Sequence, residues 1–366
     1  MVMLTKEEAG LYLENRRQNK FNVIEAYFAH ADWVINKAAE KGIVVILTSA
    51  YLGYGCGEEG WCAEVIANGT TKCKNYGRYL GNRYKNFKNI IWMEGGDTAA
   101  TGSALAGLRA ITEGIMEVDN VTLQTAHSQR QYSALDSYNE SWLSINTTYS
   151  DCSSSASKTY TDYSRTRLMP FFFVEGTYEN EGASQACIHS QAYWSILGGS
   201  TGHFFGNNPL WGLKTGWQAA MDSAGSLSMK HMGNLFNSRA WSSLVPDYNH
   251  TVVTAGYGTF SSTSYLSAAR TVNGNTIIAY IPTLRTISVD MTKVSGSQAK
   301  AWWFHPSSGV ATLIGTYANT GSREFTPEAN GDWVLVLDDA GMNFPTPGSV
   351  GINNKVPSPP KNLKVQ

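Results

Sequence analysis

The chain has 366 residues, more than one hydrophobic core usually supports, so we expect a large domain followed by a smaller one. Its 28 basic and 29 acidic side chains balance, which excludes the strongly basic surface of a nucleic-acid or anionic-membrane binder. This balance predicts an uncharged partner. No run approaches the roughly 20 apolar residues that span a bilayer, so we expect no membrane partner.

Aromatic residues are abundant, with 11 Trp and 19 Tyr, while only 16% of the residues are charged. Flat aromatic faces beside hydrogen-bonding groups suit sugar rings, and a large aromatic core explains the same composition equally well. Composition therefore favours a carbohydrate partner without deciding it.

The two ends of the sequence indicate a piece of a longer, secreted protein. Residues Met1–Glu7 carry no signal peptide, which we expect to lie upstream. Residues 341–366 form a predicted Pro-rich linker that leads to a truncated further module. Five N-x-[ST] sequons agree with secretion, although such tripeptides are frequent by chance. We expect a monomeric module of a larger extracellular chain.

From residue 1 to residue 245, helical stretches alternate with short apolar runs, which indicates βαβ units and a parallel sheet. Predicted strands cover residues 21–26, 43–50, 89–97, 121–128, 143–150, 170–178 and 202–207. Predicted helices cover residues 5–18, 27–41, 71–87, 104–118, 153–166, 183–198 and 215–240. Because the first helix has no strand before it, the expected α/β fold is a (β/α)8 TIM-type barrel that lacks its first strand.

The sequence pattern changes in residues 246–340, where short runs of alternating apolar and polar residues are separated by Gly, Asn and Ser turns. This pattern is typical of a small antiparallel β-sandwich. The sequence thus predicts a catalytic barrel, a C-terminal sandwich and a linker.

Two strings resemble motifs of other enzyme classes but lie in the wrong context. Residues 198–202 match GxSxG, yet they close a predicted helix and precede a strand, the reverse of a nucleophile elbow. Residues 55–60 match GxGxxG, but two glutamates would repel a pyrophosphate there. The five cysteines cannot all pair and show no CxxC zinc spacing. We expect neither a cofactor nor a metal.

Carboxylates at the ends of apolar strands are the informative feature. Glu94 and Asp97 end the predicted strand NIIWMEGGD, and Glu175 follows four apolar residues. The C-terminal ends of barrel strands carry the active site, and an unpaired buried carboxylate is costly. Glycoside hydrolysis uses two such carboxyl groups, although a carboxylate that caps a helix or pairs with Arg or Lys would look the same. We predict that Asp97 and Glu175 are catalytic.

Other polar or aromatic residues near predicted strand ends are candidates for binding sugar hydroxyls or stacking on a sugar ring. Any one of them is more often structural. They are Glu94, Tyr51, Trp61, His127, Asn146, Tyr178, Glu179, His203, Asn207 and Trp211.

Several strings resemble the apiosidase-like glycoside hydrolases, a family of TIM barrels followed by a domain named for collagen binding. They are YFAHADWVINKAAEKGIVVILTSAYLG, YGRYLGNRYKNFKNIIWMEGGD, FFFVEGTYEN and SILGGSTGHFFGNNPLW, together with AWWFHPSSG and GDWVLVLD near the C-terminus. The resemblance implies that Asp97, in the GGD string, is the acid/base and that Glu175 is the nucleophile. Two family features are missing: a first strand ending in G-D-T-x-W, and a longer loop before Tyr27.

The resulting hypothesis is a glycosidase acting on plant or microbial polysaccharide, with a retaining mechanism. Retention requires carboxyl groups about 5 to 5.5 Å apart, whereas about 6.5 Å or more predicts inversion. One alternative is a noncatalytic carbohydrate-binding or adhesion module that keeps the barrel without turnover. Another is a scaffold fragment of a multimodular secreted protein, which the Pro-rich tail suggests.

Overall fold

The computed structural model describes residues 22–349, which form two compact units divided between Thr147 and Thr148. The predicted helix 5–18 and the predicted linker beyond residue 349 lie outside the described part. Among the described helices, none is both long and apolar enough to cross a membrane.

The first unit alternates helices and strands, as the sequence predicts. Its helices are α1 (Asn22–Glu40), α2 (Cys62–Tyr84), α3 (Gly102–Met116) and the short α4 (Ala134–Ser137). Its strands are β1 (Val45–Thr48), β2 (Ile90–Gly95) and β3 (Gln124–His127), which form a parallel sheet in the order β1-β2-β3.

The predicted strand at residues 21–26 is wrong, because its described residues begin helix α1. A short apolar run cannot be assigned to strand or helix by periodicity alone, and no turn residue separates this run from the helix that follows. Glu25 is exposed and lies in the first turn of α1, where its negative charge interacts favourably with the helix dipole. It also forms an ion pair of 2.9 Å with Arg83.

Glycines allow helices α2 and α3 to pack closely against each other. A Cβ atom on Gly77 would lie 2.0 Å from the carbonyl oxygen of Ile111, and one on Gly114 would lie 2.1 Å from that of Lys74. On α3, Leu108, Ile111 and Ile115 are fully buried. These three side chains of α3 lie in the apolar core of this unit.

The second unit begins within strand β4 (Asn146–Tyr149), which forms a two-stranded sheet with β5 (Phe171–Glu175). Helices α5 (Ser155–Tyr163) and α6 (Gln185–Leu197) follow β4 and β5 respectively. The predicted helix 215–240 is interrupted, because Ser223 caps a new helix and leaves α7 (Trp217–Ala220) separate from α8 (Ala224–Asn237).

The predicted strand 202–207 is reduced to two isolated parallel bridges, Phe173 with His203 and Glu179 with Asn207. Strand β5 ends at Glu175. The bridge to Phe173 therefore pairs the segment with β5, whereas the bridge to Glu179 pairs it with the loop after β5. The segment runs parallel to β5, but its pairing is not continuous.

The C-terminal part contains two antiparallel sheets, as predicted for residues 246–340. The strands are β6 (Leu244–Pro246), β7 (Val253–Ala255), β8 (Ser267–Thr271), β9 (Thr276–Ile281), β10 (Ile287–Asp290), β11 (Gln298–Phe304), β12 (Ala311–Ala318), β13 (Ser322–Phe325) and β14 (Trp333–Asp339). The six-stranded order is β12-β11-β14-β9-β8-β6, and the three-stranded order is β13-β10-β7. A shared apolar core lies between the sheets and includes Val253, Ile277, Val289, Trp303 and Phe325.

The six-stranded sheet is covered on its other face by helices α6 and α8. This second core includes Trp194, Leu235, Ile278 and Val336. All six residues of β9 are buried, as expected for a strand covered on both faces. Residues on both sides of the predicted domain boundary at 245 therefore share one continuous core.

Candidate active site

The loop after β2 presents Asp97. Strand β2 ends at Gly95, and the next residues turn through positive φ angles of 82° at Gly95, 128° at Gly96 and 51° at Asp97. Glycine adopts such angles readily, whereas a left-handed aspartate costs roughly 1 kcal/mol or more and persists only when its surroundings hold it. A Cβ atom on Gly96 would also lie 2.3 Å from the ring of Tyr51. Both glycines are therefore required by their positive φ angles, and Gly96 is also required because a side chain there would clash with Tyr51.

Tyr51, after strand β1, donates a hydrogen bond of 3.1 Å to Oδ2 of Asp97. The amide of Gly55 donates to the carbonyl oxygen of Asp97 at 3.3 Å. Gly55 lies in a loop that the Cys56–Cys62 disulfide ties to the start of α2. The side chain and the backbone of Asp97 are thus both held by the segment that follows β1.

His127, the last residue of β3, lies opposite Gly95 in the strand register and is buried. Its Nδ1 accepts a hydrogen bond of 3.1 Å from the amide of Asp97. An accepting Nδ1 carries no proton, so a neutral ring holds its proton on Nε2. The sequence prediction placed His127 near the site, and the structure brings it into direct contact with Asp97.

Glu94 is completely buried beside Asp97 in sequence and accepts a hydrogen bond from the hydroxyl of Ser49 through Oε2. Its Oε1 has no hydrogen-bond partner among the residues that the structure describes. Burial raises the pKa of Glu94 to about 7, and the bond from Ser49 opposes part of that rise. Glu94 therefore holds its proton far more readily than an exposed glutamate.

Glu175 is the last residue of β5 in the second unit, as the sequence predicts, and is partly exposed. Its carbonyl oxygen accepts from the amide of Ser150 at 3.1 Å, which continues the pairing of β4 with β5. Next to it, the side chain of Gln191 on α6 bonds both the amide and the carbonyl of Thr177, at 3.1 and 2.9 Å. The backbone that carries Glu175 is thus fixed on both sides.

The family model for the apiosidase-like catalytic domain matches residues 24–243. The chain belongs to the apiosidase-like family. A second family, described as "Putative collagen-binding domain of a collagenase", matches residues 245–338. Both matches confirm the resemblance found in the sequence. A comparison with curated protein sequences found no match.

Two solved structures share the fold of this apiosidase-like chain. One, titled a glycoside hydrolase, is 24% identical with a TM-score of 0.76 and aligns over 88% of this chain and 79% of its own. Another, a family 5 glycoside hydrolase from Bacteroides vulgatus, is 22% identical with a TM-score of 0.77, over 91% and 78%. The chain therefore has a mixed α/β fold that it shares with these two glycoside hydrolases.

Glu179 and Asn207, both predicted to bind substrate, are buried and hydrogen-bond to each other at 2.6 Å in the apiosidase-like domain. Glu179 also accepts from the hydroxyl of Ser223 at 2.5 Å and from the amide of Gly225 at 2.8 Å. Since Ser223 and Gly225 begin helix α8, the Glu179 carboxylate stabilises the positive end of that helix dipole. This structural role fully accounts for its burial.

Asn146 is also buried, and its Oδ1 accepts a hydrogen bond of 3.0 Å from the amide of Leu135. The contact anchors helix α4 to strand β4. His203 stacks on Phe173 with ring centres 5.3 Å apart, and burial of its ring lowers its pKa to about 3. A neutral His203 is an aromatic packing residue at neutral pH.

The predicted aromatic residues differ in exposure. Trp61 precedes α2 and is 38% exposed, and its amide bonds the carbonyl of Tyr51 at 2.7 Å. Trp211 is 41% exposed, donates to Glu181 at 2.7 Å and lies under the ammonium of Lys214. Tyr178 packs on Gly206, where a Cβ atom would lie 2.2 Å from its ring. Trp61 thus lies beside the Asp97 site in the first unit.

The first unit brings Asp97, Tyr51, His127 and Glu94 together. The expected absence of a metal at this site stays a prediction. The sequence analysis missed Tyr138 and Ser49, whose hydroxyls bond the Asp97 loop and Glu94. Neither lies in a motif, because their importance comes from contacts between segments distant in sequence.

Proposed function

We propose that this protein is a glycosidase that hydrolyses a glycosidic bond in plant or microbial polysaccharide by a retaining two-carboxylate mechanism. Asp97 is the general acid/base and Glu175 is the nucleophile. The proposed fold is a TIM-type barrel, whose catalytic groups lie at the C-terminal ends of the strands. Asp97 follows strand β2 and Glu175 ends strand β5, as this fold requires. Membership of the apiosidase-like family and the glycoside hydrolase fold support this proposal.

The observation that carries the proposal is the geometry of Asp97. An aspartate in the left-handed region, two residues beyond a parallel strand, is held by a hydroxyl and an amide from the segment after β1 and by a ring nitrogen at the end of β3. Proteins maintain such an unfavourable conformation mainly where function needs it. A residue that only capped a helix or formed a salt bridge would not need this support.

The chemistry follows from these roles. Asp97 in its acid form protonates the leaving glycosidic oxygen while the Glu175 carboxylate attacks the anomeric carbon, which breaks the glycosidic bond and forms a glycosyl ester. Asp97, now a carboxylate, then removes a proton from water. The resulting attack on the anomeric carbon releases the sugar and restores both carboxyl groups. Trp61, Tyr178 and Trp211 shape the sugar subsites.

The cellular setting is also part of the proposal. The disulfides Cys56–Cys62 and Cys152–Cys187 support an oxidising, extracellular environment. The partner is an uncharged poly- or oligosaccharide, and the protein acts as a monomeric module of a larger chain. The proposal includes a catalytic region ending near residue 245 and a sandwich domain over residues 246–340.

The test is hydrolysis of a panel of plant and microbial polysaccharides, with released sugar and binding measured together. We expect Asp97→Asn and Glu175→Gln to lower the release of sugar by at least about 100-fold. The exposed residues Asp222 and Glu64 allow matched controls, Asp222→Asn and Glu64→Gln, which should retain full activity. Binding without release by the wild type would instead support a noncatalytic module.

The stereochemical course needs a separate measurement. Proton NMR of the first product should show the anomeric configuration of the substrate if the mechanism is retaining. The inverted anomer would contradict the nucleophilic role of Glu175 and would make it a general base.

A further inference from the structure

The Asp97 loop needs support from outside its own strand. Residues Gly95, Gly96 and Asp97 have three successive positive φ angles, after which the chain continues to helix α3 at Gly102. Tyr51, Gly55 and His127 hold Asp97 itself. None of these three contacts involves the residues immediately after Asp97, where the turn ends.

Tyr138 provides that support. Its hydroxyl donates a hydrogen bond of 2.6 Å to the carbonyl of Thr98 and accepts one of 3.0 Å from the amide of Ala100. It also limits the other side of the turn, because a Cβ atom on Gly95 would lie 2.9 Å from the same hydroxyl. One phenolic oxygen thus bonds the loop after Asp97 and leaves no room for a side chain at Gly95 before it.

Tyr138 is itself firmly placed. It is 1% exposed, and it directly follows the short helix α4, whose Ala134 carbonyl accepts from the Tyr138 amide at 2.7 Å. Helix α4 has a capping box between Ser133 and Asp136, and Asn146 on β4 accepts from Leu135. A continuous path of hydrogen bonds and backbone therefore connects strand β4 to the loop that carries Asp97.

We propose that Tyr138 is a positioning residue for catalysis, which holds the Asp97 loop in its active geometry through Thr98 and Ala100 without touching the substrate. This inference rests on the proposed role of Asp97. Asn146, predicted from sequence to bind sugar, then contributes to the site by anchoring α4.

The chemistry of the phenol suits this role. Burial raises the pKa of Tyr138 to about 12, so the hydroxyl keeps its proton at every pH where the enzyme would work and continues to donate to Thr98. Phenylalanine would keep the ring and its packing. It would leave a buried carbonyl and a buried amide without their partner, and the loop could relax only by moving Asp97.

The experiment compares Tyr138→Phe with Tyr248→Phe in the full chain. Tyr248 is a matched control because its hydroxyl also donates to a backbone carbonyl, that of Gly198 at 3.0 Å, and this bond is partly buried. A displacement of about 1 Å at a catalytic group costs up to about 100-fold in rate. We expect Tyr138→Phe to lower kcat by 10- to 100-fold with KM within about two-fold, and Tyr248→Phe to leave both unchanged.

Two results would overturn the inference. One is wild-type kcat in Tyr138→Phe. The other is equal losses in the two tyrosine variants, in proportion to their lowered melting temperatures, since this would show only a general loss of folding.

Crystal structures of the wild type and Tyr138→Phe separate this inference from the proposed function. A shifted Asp97 with a relaxed φ angle supports the inference even if the wild type releases no sugar, a result that would overturn the proposed function alone. An unmoved Asp97 overturns the inference even if the wild type is an active glycosidase.

Discussion

The hydroxyl of Tyr51 donates to Oδ2 of Asp97 at 3.1 Å, so a residue after strand β1 orients the proposed acid/base after strand β2. Hydrogen bonds to charged groups contribute roughly 1.5–3 kcal/mol. We expect Tyr51→Phe to lower kcat/KM about 10- to 100-fold on the glycan that the wild type cleaves. Tyr54→Phe is the control, since Tyr54 is 75% exposed and should tolerate the change. Equal kcat/KM values for the two variants would show that the hydrogen bond from Tyr51 to Asp97 does not contribute to catalysis.

The raised pKa of Glu94 predicts that the free energy of unfolding depends on pH. Its folded pKa, about 7, lies above its ordinary 4.5, so the folded protein binds the proton more tightly than the unfolded chain. Its protonation stabilises the fold fully below about pH 4.5, and this contribution, about 3 kcal/mol, is lost as pH rises through 7. Urea unfolding from pH 4.5 to 8 should show this loss in the wild type and a flatter profile in Glu94→Gln. Parallel profiles would contradict the assignment.

Arg239 and Asp338 form a buried bidentate ion pair, with bonds of 2.8 and 2.7 Å between the segment after α8 and strand β14. Removing one partner leaves a buried charge unpaired, so Arg239→Met should lower the free energy of unfolding by about 3–5 kcal/mol. The control is Arg109→Met, because Arg109 is half exposed and its pair with Glu140 should contribute no more than about 1 kcal/mol. Chemical denaturation measures both. Similar losses would contradict the predicted importance of burial.

The shared core predicts that a chain ending at residue 245 will not fold like the intact protein. Such a chain would expose Trp194 and Leu235, which pack on Ile278 and Val336 of the six-stranded sheet. We expect loss of near-ultraviolet circular dichroism and of cooperative unfolding, whereas a chain ending at residue 349 should unfold in a single transition. A cooperative fold for residues 1–245 would instead support an independent catalytic domain.

The parallel strands and the antiparallel C-terminal sheets were predictable, because their apolar runs have the length and flanking turns of strands. Residues 21–26 were predicted incorrectly, since four apolar residues fit a helix equally well. Residues 202–207 are extended as predicted but lack continuous pairing, because pairing depends on where strand β5 ends. The interruption near Ser223 depends on Glu179, a residue more than 40 positions earlier.

The positions of the carboxylates are predictable from the sequence, because a charged residue after an apolar run marks a strand end wherever the strand packs. The role of each carboxylate depends on the folded structure. Glu179 stabilises a helix, Glu94 is buried and holds a proton near neutral pH, and Asp97 is held in an unfavourable backbone conformation. These carboxylates have different roles because segments distant in sequence determine their burial and provide their hydrogen-bond partners. Local sequence patterns do not contain this information.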